Sequence, residues 1–254
     1  MAIDIGNTST YLGLYRNKKL KGTRRISTRG NLTVDEYWFL LKSILQDLKV
    51  DRDKISAIAL SSVVPSLTPV IDGVSKKYLN IEPLIVDHNL NLGIKIDYYD
   101  PSQVGADRIC NVVAAYTYYG GPTVIIDFGT ATTFDFISED GSYPGGIIVP
   151  GILISLTELQ RRAARLPKIE VRKPLTLIGR STEESMRAGV YYGLIGEVNE
   201  IIKRMKQEIG DNLKIIVTGG LFELIIEDIE FDAVEPDLTL KGLRIIYERN
   251  KTKK

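Results

Sequence analysis

Thr123 to Asp135, TVIIDFGTATTFD, reads as strand, tight turn, strand. Thr123, Val124, Ile125 and Ile126 are residues of buried-strand type, Asp127 follows them, and after a turn of small and hydroxylated residues the alternation resumes at Thr133, Phe134, Asp135 and Phe136. Such a hairpin exposes one carboxylate beside free backbone N–H groups. Gly129 has no Cβ to block close approach, and the Thr130 and Thr132 hydroxyls add donors. The turn therefore suits phosphate oxygens and a hydrated metal ion as well as it suits a plain hairpin.

The same phrase opens the chain as Ala2 to Thr10, AIDIGNTST. Asp4 and Asp127 lie about half a chain length apart, so each half begins with an apolar strand, an Asp, a Gly two residues further on, and a small or hydroxylated run. Repetition at this spacing predicts duplicated domains facing each other across a cleft, with the two turns holding a nucleoside triphosphate from both sides.

The rest of the chain fits that duplication. Tyr11–Tyr15 and Leu20–Ser27 extend the first strand into a three-strand meander, and Thr33 with Glu36 forms a capping box before Tyr37, Leu40, Leu41, Ile44, Leu45 and Leu48 at helical spacing. Strands are expected over Ile55–Ser61 and Pro83–Val86, with a helix between them that takes Pro69 in its first turn. The second half offers a meander of Thr123–Asp127, Thr132–Ile137 and Ser142–Val149, then a helix over Ile154–Arg165. A long helix follows from Ser181 or Thr182 to about Ile209, opened by a second capping box of Ser181 with Glu184. Lys214–Thr218 is a strand, and Leu238–Glu248 a closing helix. The expected fold is α/β, with βββαβα repeated in domains spanning 1–115 and 116–254.

Composition narrows the function classes. The 254 residues are 44% hydrophobic, enough for one large core or two ordinary ones, and 33 Lys plus Arg against 32 Asp plus Glu leave no strong field for nucleic acid or an acidic membrane surface. The single cysteine, Cys110, excludes an intramolecular disulfide framework and reads as a small buried hydrophobe. No signal-type start or long apolar run is present, so the expected location is the cytoplasm. The single histidine, His88, lies in a loop after a strand and reads as structural or surface rather than catalytic.

Between the halves, Tyr98 to Asn111 reads YYDPSQVGADRICN. A helix is expected to begin near Val104 to Ala106, placing Asp107 and Arg108 in its first turn. A carboxylate gains from the helix dipole there and an arginine does not, so Arg108 needs another reason to be present. The pair is either a surface ion pair or a general base beside a guanidinium that receives an anionic ligand. GxxxxGK[ST] is absent, which excludes the P-loop solution to phosphate binding.

A resemblance now becomes specific. The chain resembles the type III pantothenate kinases, of the acetate and sugar kinase, heat-shock and actin superfamily. The matching phrases are DIGNT at Asp4 to Thr8, SSVVP at Ser61 to Pro65, DPSQVGADR at Asp100 to Arg108, DFGTATTFD at Asp127 to Asp135 and YPGGIIVPG at Tyr143 to Gly151. ARLP at Ala164 to Pro167, IGRSTEESM at Ile178 to Met186, VTGG at Val217 to Gly220 and DLTLKGL at Asp237 to Leu243 complete the set. DxGNT marks only the superfamily, whereas GADR with GGxxxPG and the closing LKGL marks this family.

The resemblance implies ribonuclease H-like, actin-like ATPase domains and the ATP-dependent phosphorylation of pantothenate, the first step of coenzyme A biosynthesis. It implies Asp107 as general base toward the pantothenate hydroxyl, with Tyr98, Gly105, Ala106 and Arg108 at the substrate. Thr182 would reach in from the second subunit of a homodimer with shared active sites. The nucleotide would meet Asp4, Ile5, Gly6, Asn7, Thr8, Gly129, Thr130, Thr132, Gly219 and Gly220, with Asp4 and Asp127 orienting Mg²⁺. A monovalent cation, K⁺ or NH₄⁺, is also implied near Asp127. Another phosphotransferase of this fold and a non-catalytic regulatory relative are the alternative readings. Ala163 and Ser181 depart from the family's usual threonine and asparagine, and the first strand is shorter than in relatives. The apolar face of the long helix, Val190, Leu194, Ile195, Val198 and Ile202, is open to core packing or to the dimer contact.

Overall fold

The computed structural model describes residues 1–163 and 165–251. In chain order the elements are β1 (Ala2–Ile5), β2 (Ser9–Arg16), β3 (Lys19–Ser27), α1 (Val34–Asp47), β4 (Ala59–Ser62), α2 (Thr68–Leu79), β5 (Leu84–Ile85), β6 (Lys95–Ile96) and α3 (Ala106–Tyr119). They continue with β7 (Thr123–Phe128), β8 (Ala131–Ile137), β9 (Ser142–Tyr143), β10 (Gly145–Pro150), α4 (Ile152–Arg162), α5 (Thr182–Ile209), β11 (Lys214–Gly219), β12 (Ala233–Val234) and α6 (Leu238–Asn250).

Two five-stranded sheets repeat one topology. The first runs β3-β2-β1-β4-β5 and the second β10-β8-β7-β11-β12. In each, a meander of three antiparallel strands contributes its first strand to the sheet centre, where two further strands add in parallel. The duplication expected from the Asp4 and Asp127 phrases is thus a duplication of sheet topology.

The units do not divide where the sequence suggested. Met1–Tyr118 together with the stretch from Asp237 onward forms one compact unit, and Tyr119–Pro236 forms the other. The expected boundary at 115/116 sits close to the first crossing, but α6, expected in the second half, belongs to the first unit. The reason is burial: Leu238, Leu240, Leu243 and Ile246 of α6 are fully buried, and the helix packs on β1, β2 and β4.

In the first unit alternation sorts the side chains of β1. Ile3 and Ile5 join the core beneath α1 and α2, with Tyr37, Trp38, Leu41, Ile44, Ile71 and Val74. Asp4 points to the opposite face, which α6 covers through Leu240 against Gly13. The Thr33–Glu36 capping box is complete, and Pro69 occupies the first turn of α2 as expected. β4 is shorter than the expected Ile55–Ser61 because it pairs with only the four residues of β1.

In the second unit α5 supplies Tyr191, Leu194, Val198, Ile202 and Met205 to a core with Val124, Ile126, Phe134, Ile215 and Val217, while Val190 and Ile195 pack at its margin. The apolar face of α5 is therefore satisfied within its own unit, each buried side chain contributing about 1.5–3 kcal/mol, and the dimer-contact reading of this face is corrected. Pro144 separates β9 from β10, where one continuous strand was expected, because a proline N cannot donate to a ladder. The helix expected over Ile154–Arg165 runs instead over Ile152–Arg162, and Ala164 lies outside the described residues.

α3 and α6 meet backbone to backbone. A Cβ on Gly242 would stand 2.0 Å from the carbonyl oxygen of Cys110. Gly242→Ala must therefore push the two helices apart, and the expected loss of unfolding free energy is ~1–3 kcal/mol. A lower urea midpoint at unchanged slope is the expected result, and an unchanged midpoint refutes the contact.

Candidate active site

In the first unit, Asp4 lies in register with Tyr11 on β2 and with Ser61 on β4. Directly paired residues share a sheet face, so the Asp4 carboxylate, the Tyr11 phenol and the Ser61 hydroxyl project together. Beneath them lies Cys110, fully buried in α3 with the Ser61 hydroxyl beside its thiol. Burial pushes this thiol well above its ordinary pKa, and the negative charges of Asp4 and Asp107 push it further. Asp4 and Asp107 thus converge on one inert thiol, although they are far apart in sequence.

The turn after β1 is pinned by its neighbours. Gly6 donates its N–H to Ser9 O at 3.0 Å, Thr28 donates its hydroxyl to Gly6 O at 2.7 Å, and Thr28 N–H reaches Thr8 O at 3.0 Å. Asn7 and Thr8 are left exposed at the tip. Ile5 departs from expectation, because its side chain is fully buried and its carbonyl already accepts Val63 N–H at 3.0 Å. It offers no side chain to a ligand.

The GADR phrase has a steric logic. Asp107 folds its carboxylate back so that Oδ1 accepts the Arg108 backbone N–H at 2.8 Å, and a Cβ on Gly105 would stand 2.5 Å from that oxygen. Only a glycine before Ala106 leaves room for this conformation. Asp107 is half-buried, whereas Arg108 is 8% exposed and Ala106 9%, so the surface ion-pair reading does not describe Arg108. One turn on, buried Asn111 accepts the Thr239 hydroxyl at 2.8 Å, and Tyr11 donates its hydroxyl to Asp237 at 2.5 Å. Both bonds tie this face to the start of α6. Tyr98 is half-buried in the segment between β6 and α3.

The second unit builds its own cluster around Asp127, which lies in register with Thr133 and Thr218. Gly219 has φ of +101°, a conformation that favours glycine, and a Cβ there would stand 2.7 Å from Asp127 Oδ1 and 2.5 Å from Phe128 N. Phe128 O accepts N–H groups of Gly220 and Leu221 at 3.1 and 3.3 Å, and Gly129 N–H bonds Ala131 O at 3.1 Å. Asp127, Gly129, Thr130, Gly219 and Gly220 are thereby brought together at the ends of two parallel strands. Thr132 is not part of this surface. It pairs with Phe128 inside β8 and is 1% exposed, which corrects its expected place in the turn.

Thr182 is the exposed first residue of α5. The Ser181 hydroxyl caps the helix by accepting Glu184 N–H at 3.2 Å, but the Glu184 carboxylate accepts Arg180 N–H at 2.7 Å rather than that of Ser181. The capping box is therefore shifted one residue outward.

Two supporting groups had no role in the sequence reading. Ser61 stands beside Asp4 through the β1/β4 register, and Gly151 donates to Thr130 O at 3.2 Å, bracing the Asp127 turn from the end of β10. The quoted SSVVP and GGIIVPG phrases contain both. Their contacts depend on strand pairing over long sequence separations, which no local pattern reports.

Comparison with known proteins gives the family. The family model for type III pantothenate kinase matches residues 1–204. A type III pantothenate kinase of Geobacter sulfurreducens is 45% identical over 252 residues, covering 99% of each chain. Among solved structures, a Campylobacter jejuni protein named for the Baf family of transcriptional activators superposes with a TM-score of 0.60 at 21% identity, covering 98% of each chain. A ROK family glucokinase of Streptomyces griseus, solved with glucose and AMPPNP, gives 0.54 at 13% identity, covering 95% of this chain and 96% of that one. Likeness at these identities is likeness of fold, and it agrees with the α/β fold of duplicated sheets described above. The match to the family model and the full-length relative establish that the chain belongs to the type III pantothenate kinase family.

Proposed function

We infer that the chain transfers the γ-phosphoryl group of ATP to pantothenate, giving 4'-phosphopantothenate in the first step of coenzyme A biosynthesis. The observation that carries this reading is the 45% identity to a type III pantothenate kinase along the whole chain. Phosphoryl transfer asks little covalent chemistry of a protein, so positioning and charge neutralisation suffice.

Asp107 is the proposed general base. Its carboxylate sits at a helix N-terminus, which favours the charged form, and its bond to the Arg108 N–H orients it to meet a substrate hydroxyl. Proton transfer from that hydroxyl to Asp107 accompanies attack of the alkoxide oxygen on the γ-phosphorus, and ADP leaves. Tyr98, Gly105, Ala106 and Arg108 are proposed to hold pantothenate, Arg108 by pairing with its carboxylate. Gly6, Asn7, Thr8, Gly129, Thr130, Gly219 and Gly220 are proposed for the nucleotide.

The donor set fits Mg²⁺, which binds through one or two carboxylates, water and substrate phosphates and neutralises the phosphate charge. Asp4 and Asp127 are the proposed carboxylates, and K⁺ or NH₄⁺ is proposed near Asp127. A cytoplasmic enzyme is proposed, and no helix among the described residues is long and apolar enough to cross a membrane.

A homodimer with shared active sites completes the reading, Thr182 serving the partner's pantothenate. With the face of α5 buried in its own unit, the support lies in exposed apolar residues elsewhere. Ile148 on β10, Leu153, Ile154 and Leu159 on α4, and Leu175, Leu177 and Ile178 after it are 45–103% exposed. Such a concentration fits a second copy of the chain better than solvent.

The test is a coupled assay of pantothenate with ATP, Mg²⁺ and K⁺, run beside a panel of other hydroxyl-bearing acceptors. Preference for another acceptor would favour a different phosphotransferase of the same fold. Asp107→Asn is expected to lower kcat by ~10²–10⁴ with the fold intact, and retention of half the activity would sink the base assignment. Asp4→Asn and Asp127→Asn are each expected to raise the Mg²⁺ concentration needed for half-maximal rate, and an unchanged Mg²⁺ dependence refutes the metal role of the residue tested. Ile148→Asp is expected to give a monomer by sedimentation and to lose turnover, whereas a fully active monomer rules out the shared site.

A further inference from the structure

Residues 165–181, between α4 and α5, have no regular secondary structure. Within them the Lys173 ammonium lies 3.1 and 2.8 Å from the two carboxylate oxygens of Asp228, and Asp228 also accepts the Tyr191 hydroxyl at 2.6 Å. Tyr191 is 1% exposed in the core of the second unit, and Asn199 donates to the Asp228 carbonyl at 3.2 Å. The acceptor is thus built into α5 and the short 3₁₀ turn Ile226–Asp228, while the donor comes from irregular chain. The Lys173 bond lowers the Asp228 pKa most and the Tyr191 bond next, so the carboxylate is charged at neutral pH.

The neighbouring tethers lie to either side. Arg187 reaches Glu170 O at 3.4 Å, and Glu184 takes Arg180 N–H at 2.7 Å. Between them Val171 packs against the core of the unit, and among the described residues Lys173 is the side chain that hydrogen-bonds this stretch to the rest of its unit, with the Glu227 carboxylate also 3.8 Å from its ammonium. The segment also supplies the cap of α5, since the Ser181 hydroxyl and the Arg180 backbone satisfy the Glu184 N–H and the Glu184 carboxylate. A first helical turn has no internal partners for its N–H groups, so releasing the segment releases the cap and frays the turn that bears Thr182.

We propose that Lys173, Asp228 and Tyr191 form a clasp that positions the segment 165–181 and, through it, Thr182 for pantothenate. The proposal rests on the assignment of Thr182 made above. These are positioning residues, with no contact to the substrate themselves. Lys173 is half-exposed and its ion pair contributes little to global stability, so the effect should appear in substrate binding rather than in folding.

The experiment is steady-state kinetics and thermal melting of the full chain with Lys173→Met, Asp228→Asn, Lys173→Arg, Thr182→Ala, and Thr182→Ala combined with Lys173→Met. The two clasp-breaking variants are expected to raise KM for pantothenate by about fivefold or more, with kcat and KM for ATP within about twofold of the parent. Lys173→Arg should stay near the parent, and adding Lys173→Met to Thr182→Ala should raise KM no further. If Thr182→Ala raises KM while Lys173→Met does not, the clasp is overturned. Multiplicative losses in the double variant also overturn it, because the residues would then act independently. An unchanged KM in Thr182→Ala refutes the underlying assignment of Thr182 instead. Lys173→Met decides the matter alone should Asp228→Asn fail to fold.

Discussion

The contact of Gly242 with the Cys110 carbonyl fixes the distance between α6 and α3, and the placement of Asp107 in the first unit depends on that distance. α3 carries Asp107 in its first turn and Cys110 one turn later, so any outward shift of α6 is a shift of the carboxylate relative to Asp4. The Thr239–Asn111 and Tyr11–Asp237 bonds repeat the same coupling in polar form, one from α6 to α3 and the other from the head of α6 to the central meander. Packing sets the spacing, and directional bonds set the register.

Cys110 shows how the site tolerates two carboxylates in a small space. A thiol is the least demanding polar neighbour available, and its raised pKa keeps it neutral between Asp4 and Asp107. An ionised or strongly hydrogen-bonding side chain there would compete for the charges of both carboxylates. In the second unit the Asp127 carboxylate instead lies close to Gly219, where no side chain intervenes.

Much of this was legible in the sequence wherever the determinant is local. The Asp127 hairpin follows from turn chemistry, the Thr33–Glu36 box from a four-residue spacing, and the start of α3 from Gly105 and the apolar period that follows. What escaped depends on partners far away in sequence. β4 is short because β1 is short, Thr132 is buried because β8 continues to pair up to Phe128, and the stripe on α5 meets its own sheet. The assignment of α6 to the first unit belongs to the same class, since a helix shows which face is apolar but not which sheet receives it. Gly105 is the instructive intermediate: the phrase was legible, but the reason for its glycine is a contact with Asp107 that only the folded backbone reveals.

The chain leaves the first unit at Tyr118 and returns at Asp237, with the whole second unit lying between. During synthesis, therefore, Tyr119–Pro236 emerges as an uninterrupted stretch that holds all of its own strands, whereas the sheet bearing Asp4 waits with the α6 side of β1, β2 and β4 uncovered until residues 238–250 have left the ribosome. The half with the later C-terminal helix carries the longest sequence separations, so its closure bears the greater loop entropy and is the slower event. A chain truncated before Leu238 would retain every residue proposed for catalysis and lack the helix that holds them in register.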